Sequence, residues 1–226
     1  MTETTTEANA GACFARLVLP LRSCQGAVLC RTWDRDDVCA PGGNPLAVAA
    51  AHAVLHAFGA EADARHGEAA PLVTLLTRED TARRGKGRGG KGRGGRHRVL
   101  RNSAALVATI ARACPPVRVE TSGLASLSFA AQLALMRRTA VLVGPHGAGL
   151  THILHLPRGA SVVELTNTPP PQPGRSVANI YRSVATWTGH PYAAVKGAEQ
   201  PKPRQVASAV CGLLGRGSSA AGVSAG

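Results

Sequence analysis

An α/β domain built on one Rossmann-like parallel sheet, with helices on both faces, is expected of this 226-residue chain. Three observations carry that expectation. Short apolar runs alternate with helix-period segments along most of the length, as in βαβ units. The connections between them are short, apart from one loop rich in glycine and arginine. Residues 141–165 join two apolar strands through a glycine-rich turn and a short helix, marking the sheet's carboxyl end, where ligands of such folds bind.

Each element has its own signal. Residues 1–12 are polar, carry Glu3 and Glu7, and read as disordered rather than as a secretory leader. Residues 13–43 form an irregular segment whose one apolar run, 17–21, suits a strand. The folded domain is expected over 44–214. From Pro45 on, Leu46, Ala50, Val54 and Phe58 recur every four residues, and Gly59 supplies the stop of a helix. Residues 72–76 form an apolar strand leading into Thr77 and Arg78. Residues 83–95 are a disordered basic loop with nothing able to pack a core. A helix over 102–113 ends before Pro115 and Pro116, and a strand over 117–120 follows. The next helix starts near Ser128, with Phe129, Leu133 and Met136 on one face. Strands at 140–143 and 161–165, a helix at 177–187, a strand at 191–195 and a helix at 205–214 complete the order. The glycine-, serine- and alanine-rich tail 215–226 reads as disordered.

Composition narrows the function. The net charge of +13 is local: eight Lys and Arg residues fall between Arg83 and Arg98 with no acid among them, and without that block +5 remains. No stretch approaches the roughly 20 apolar residues that a membrane span requires. The six cysteines, at 13, 24, 30, 39, 114 and 211, show no C-x-x-C pair and no histidine at zinc spacing. The first four allow one or two disulfides in an oxidising lumen. In a reduced protein they would be small buried apolar residues.

Within 141–165, Gly144, Gly147 and Gly149 permit tight turns and close approach of the backbone to a ligand. Unpaired N–H groups at a strand-to-helix turn favour an anion such as phosphate. The spacing is not that of a dinucleotide fingerprint, and no Walker lysine is present. His146 can donate to a diphosphate, accept a proton, or merely cap the turn. Glu164, at the end of a buried strand, needs a partner or a use. Accepting from ribose hydroxyls is one use, and pairing with an arginine is the bland alternative.

The run LSFAAQLALMRRTAVLVGPHGAGLTHILHLPRGASVVEL, residues 127–165, closely resembles the catalytic domain of glycosyltransferase family 61. That family includes EGF-domain-specific O-linked N-acetylglucosamine transferases and plant xylosyl- and arabinosyltransferases. The matching residues are Ser128, Phe129, Gln132, Gly144, the H-G-A-G-L-T run from His146 to Thr151, Leu156, Pro157, Gly159, Val163 and Glu164. Upstream, V-T-L-L-T-R ending at Arg78 and R-V-L-R-N starting at Arg98 resemble further family elements, the second with one residue more than expected. Cys13-Phe14 and the 45–58 helix are similar to the segment joining the family's two halves.

The resemblance implies the C-terminal, nucleotide-sugar-binding half of a GT-B architecture. It implies inverting transfer from a UDP-sugar to a hydroxyl of a protein or polysaccharide acceptor, without a metal or other cofactor. The diphosphate would be met by Gly144, His146, Gly147, Ala148, Gly149, Leu150 and Thr151, with Arg98 and then Arg78 as the assisting cations. Glu164 would serve the ribose, and His146 is the catalytic candidate, with no other general base assigned. An ER or Golgi lumen is the implied location. The chain departs from the family at His155, where an aromatic is usual, and in the 83–95 insertion. Asp34-Arg-Asp36 imitates a metal-binding D-x-D but reads better as a solvated loop. Two rival readings stand beside this one: a truncated, non-catalytic nucleotide- or partner-binding protein, and an RNA binder acting through the basic loop. The second is disfavoured, because that loop has no interleaved aromatics on which bases would stack.

Overall fold

The computed structural model describes residues 45–62, 64, 69–77, 99–167 and 180–220. Five strands form one wholly parallel sheet: β1 (Leu72–Leu76), β2 (Arg118–Ser122), β3 (Thr139–Pro145), β4 (Ser161–Thr166) and β5 (Tyr192–Lys196). Their spatial order is β2-β1-β3-β4-β5. Connections therefore diverge between β1 and β3, and a doubly wound sheet opens its ligand crevice at that point, beyond the carboxyl ends of the strands.

The expected elements are present with small shifts at their ends. Helix α1 (Pro45–Ala57) ends near Gly59, whose φ of 61° is left-handed and suits the missing side chain. Helix α2 (Ser103–Ala113) links β1 to β2. Helix α3 (Phe129–Arg138) is capped by Ser128, whose hydroxyl accepts from the Ala131 N–H at 3.2 Å. A single 3-10 turn, Leu124–Ser126, precedes it and has no counterpart in the sequence expectation. Helix α4 is Ile180–Thr188. Helix α5 (Pro203–Ala220) runs past Gly215 into the tail read as unstructured. The basic loop, the strand expected at 17–21 and the N-terminal cysteines lie outside the described residues.

The two faces of the sheet differ in kind. On one, Val73, Leu75, Val141, Val143, Val163 and Leu165 pack against Leu106 and Ile110 of α2 and Val206 and Val210 of α5. A Cys114–Cys211 disulfide, 97 residues apart in sequence, ties those two helices together. The sequence expectation looked for disulfides among the first four cysteines, which lie outside the described residues. The other face packs Leu72, Leu142 and Val162 against Leu135 and Met136 of α3, Leu150 and Ile153, and Tyr181 and Ala185 of α4. Alternation along β4 explains the split: Val163 and Leu165 point one way, Val162 and Glu164 the other. No described helix is long and apolar enough to cross a membrane.

Candidate functional site

The turn after β3 holds the site. Gly144 pairs with Glu164 across the β3–β4 register, and the His146 N–H donates to the Leu165 carbonyl at 2.9 Å. Two residues beyond Gly144, His146 lies on the same side of the strand as Glu164, and its Nδ1 meets Glu164 Oε1 at 2.5 Å. The Tyr192 hydroxyl donates to Oε2 of the same carboxylate, also at 2.5 Å. Glu164 is only 2 % exposed, whereas the His146 side chain is 25 % exposed. The carboxylate is thus sealed behind an imidazole that reaches solvent. Among the described residues, no hydrogen-bond partner meets the outer nitrogen, Nε2. Tyr181 of α4 stands edge-on to the His146 ring, with centroids 5.1 Å apart.

Burial and then the Glu164 charge and hydrogen bond push the Tyr192 hydroxyl above the ordinary phenol range. It therefore stays an O–H donor. Among the described residues, the Glu164 oxygens meet an imidazole and a phenol rather than an arginine, and the carboxylate sits behind His146 rather than at the surface.

The glycines and the short helix also find definite roles. A Cβ on Gly144 would come within 3.1 Å of Leu76 Cβ, and one on Gly149 within 3.2 Å of Leu76 Cδ1. Their close approaches are to the protein's own core. Gly147 is in extended backbone, with φ 160°. The helix after it is a 3-10 helix, Ala148–His155, first closed by the Leu150 N–H on the Gly147 carbonyl at 2.9 Å. That closure leaves the Ala148 and Gly149 amides at its open end. The Thr151 hydroxyl folds back onto the Ala148 carbonyl at 2.7 Å. Leu150 is buried in the core. Arg78 and Arg98 lie outside the described residues, as do residues 168–179 that follow β4.

A second polar cluster, missed in the sequence reading, lies beneath the 3-10 helix. Gln132 Nε2 donates to the carbonyls of Leu124 and Leu127 at 2.8 and 3.0 Å, so its Oε1 is the acceptor for His152 Nε2 at 2.8 Å. This makes His152 a neutral Nε2–H tautomer whose Nδ1 faces His155 Nδ1 at 3.4 Å. Burial, with the neighbouring His155 second, lowers the His152 pKa to about 4. Burial and the Arg137 charge lower that of His155. His155 and Phe129 pack in a T-shape with ring centroids 6.0 Å apart, keeping aromatic packing at the position where the family resemblance led one to expect an aromatic side chain.

A cavity of about 250 Å³ lies between α1, the 3-10 helix and α4, with Arg137, Leu156 and His190 in its wall. Arg137 and His190 each stand two residues before a strand, which puts the cavity toward the sheet's amino end, away from His146. A hollow of about 420 Å³ beside α4 and β5 includes Arg182 and Tyr192. Neither is lined by His146. Among the described residues, no three His, Cys, Asp or Glu side chains converge as a metal site would require.

Comparison with known proteins bears on the same stretch. The profile of the glycosyltransferase 61 family matches residues 51–163, half of the chain. The EGF domain-specific O-linked N-acetylglucosamine transferase of Drosophila melanogaster is 44% identical over 66 residues, 29% of this chain and 11% of that protein. The proteins of the same name from Rattus norvegicus and Mus musculus are each 47% identical over 51 residues, 23% of this chain and 10% of theirs. The matched stretch thus spans about a tenth of these relatives.

Proposed function

Because the chain belongs to the glycosyltransferase 61 family, we propose that it binds a nucleoside-diphosphate sugar, UDP-linked, at the carboxyl ends of β1 and β3. The observation that carries this reading is His146, backed by a buried carboxylate, beside open amides at the point where the sheet's connections diverge. In this reading the chain is the donor-binding half of a GT-B enzyme, and the relatives' printed activity suggests N-acetylglucosamine as the sugar to test first.

The chemistry asked of the site is modest in kind. An acceptor hydroxyl oxygen, from a protein or polysaccharide, bonds to the anomeric carbon with inversion and loses its proton. The bond from that carbon to the diphosphate breaks, and its electron pair leaves with UDP. Charge developing on the diphosphate dominates the barrier, and preorganised donors aimed at it are the usual remedy. The Ala148 and Gly149 amides and His146 are such donors, and Arg78 and Arg98 would add guanidinium forks. No divalent cation is needed in this reading. A secretory-lumen setting accords with the Cys114–Cys211 disulfide.

Calorimetric titration with UDP, UDP-N-acetylglucosamine and UDP-xylose tests the reading. Micromolar binding, together with protection of residues 144–151 from hydrogen exchange, is expected. Failure of all three ligands to bind would overturn it, and binding without transfer to any acceptor would favour the non-catalytic alternative.

A further inference from the structure

We propose that Glu164 and Tyr192 are positioning residues that orient His146 so that its ring takes up a proton as the nucleotide binds, its Nε2–H then donating to the diphosphate. The inference rests on the donor-binding reading above and specifies how the site carries its charge.

A carboxylate 2 % exposed, on the face of the sheet that packs Leu142, Val162 and Leu150, is costly unless its charge is compensated. Tyr192 supplies a neutral hydrogen bond to Oε2 and, kept protonated by burial, cannot supply charge. The group against Oε1 is the His146 imidazole, which can. With Oε1 accepting at Nδ1, the ring donates there and Nε2 is the remaining polar atom, on the 25 % exposed side. Tyr181, the group facing the ring from α4, is neutral, and the Arg182 charge acts at Tyr192. An anion arriving at Nε2 then completes an alternation: carboxylate, imidazolium, diphosphate.

The same geometry separates two jobs. A ring whose free nitrogen carries a proton toward the leaving group is a donor there, not the acceptor hydroxyl's base. That base would belong on the opposite side of the sugar in an inverting reaction. The proton held at Nε2 comes from solvent when the anion binds, and nothing is oxidised or reduced.

Binding therefore takes up protons. The test is isothermal titration of the full chain with UDP at pH 8, in buffers of different ionisation enthalpy. The terminal phosphate of UDP is already ionised there, since the second phosphate pKa is about 6. Net proton uptake is expected for the unmodified chain. His146→Gln should abolish the uptake and weaken UDP binding by about tenfold, the loss of one charge-assisted hydrogen bond. Glu164→Gln, which keeps the shape of the side chain and removes its charge, should lose more affinity at pH 8 than at pH 6. A purely architectural role would lower affinity equally at both values. Tyr192→Phe, which keeps the ring and the carboxylate, should retain uptake with a loss of only about twofold to threefold. UDP binding without proton uptake, or an equal loss at pH 6 and pH 8 in Glu164→Gln, overturns the relay alone. Absence of UDP binding in the unmodified chain overturns the donor-binding reading and the relay's ligand together.

Discussion

The two faces of the sheet are built to different rules. The face under α2 and α5 is aliphatic, with Ser161 its one buried polar residue from β4, and it is closed by a disulfide. The face under α3, the 3-10 helix and α4 carries Thr74, Glu164, His152 and His155, each with a polar partner. Both shield the same strands from water. The two faces thus divide: one is an aliphatic, cross-linked support, and the other holds the buried Glu164 carboxylate and the Gln132–His152–His155 network.

That contrast is sharpest where the disulfide is removed. A cross-link closing a loop of nearly 100 residues contributes about 4–5 kcal/mol on a chain-entropy estimate, and this one spans 97 residues. Paired Cys114→Ala and Cys211→Ala substitutions should lower the urea midpoint accordingly. UDP affinity, read by calorimetry at a temperature where the variant is folded, should stay within about twofold. A loss of affinity as large as the loss of stability would break the comparison.

On the polar face the largest stability effect belongs to Glu164→Ala. It strands the Tyr192 hydroxyl and the His146 ring together and should cost about 3 kcal/mol in urea unfolding. Unlike the disulfide change, it should remove UDP binding as well.

The third effect is a pH dependence. Folded His152 titrates near 4, against 6.5 for a free histidine. Between those values the unfolded chain binds a proton that the folded chain refuses, so stability rises with pH across that window. The contribution is present above 6.5 and is lost as pH falls toward 4. Lowering the pH from 7 to 5 should cost on the order of 2 kcal/mol, measured by chemical denaturation. His152→Leu should be less stable at pH 7 yet lose less on acidification. An unchanged slope would detach the Gln132–His152 pair from the acid response.

The sequence made some of this legible. The 72–76 and 161–165 runs are buried from end to end, and a parallel strand covered on both faces reads as a mostly apolar run, here broken by Thr74 in one and by Ser161 and Glu164 in the other. The H-G-A-G-L-T turn was likewise visible, because strand, turn and helix lie in one continuous stretch. What escaped depends on pairing at a distance. Tyr192 meets Glu164 only because β5 lies beside β4, and nothing local to residues 191–195 says so. Cys114 finds Cys211 only because α2 and α5 share a face, whereas the eye is drawn to four cysteines clustered near the start. Gln132 matched the family run, but its engagement of two carbonyls and a histidine required the 3-10 turn before α3. Helix α5 outlasts Gly215 because isolated glycines lower helix propensity without abolishing it.

The smallest effect tests whether the turn acts through its backbone or its side chains. Thr151 is exposed, and its hydroxyl donates to the Ala148 carbonyl at 2.7 Å, inside the 3-10 helix. Thr151→Val removes that bond but leaves the carbonyl open to water, so stability should change by less than about 0.5 kcal/mol. If the diphosphate is met by the Ala148 and Gly149 amides, UDP affinity should also hold within about twofold, since no amide has been altered. A tenfold loss would mean that the hydroxyl turns outward to the ligand. The matched run from His146 to Thr151 would then act through its side chains, and the division between a securing face and a binding face would have to include a threonine that the unliganded fold keeps to itself.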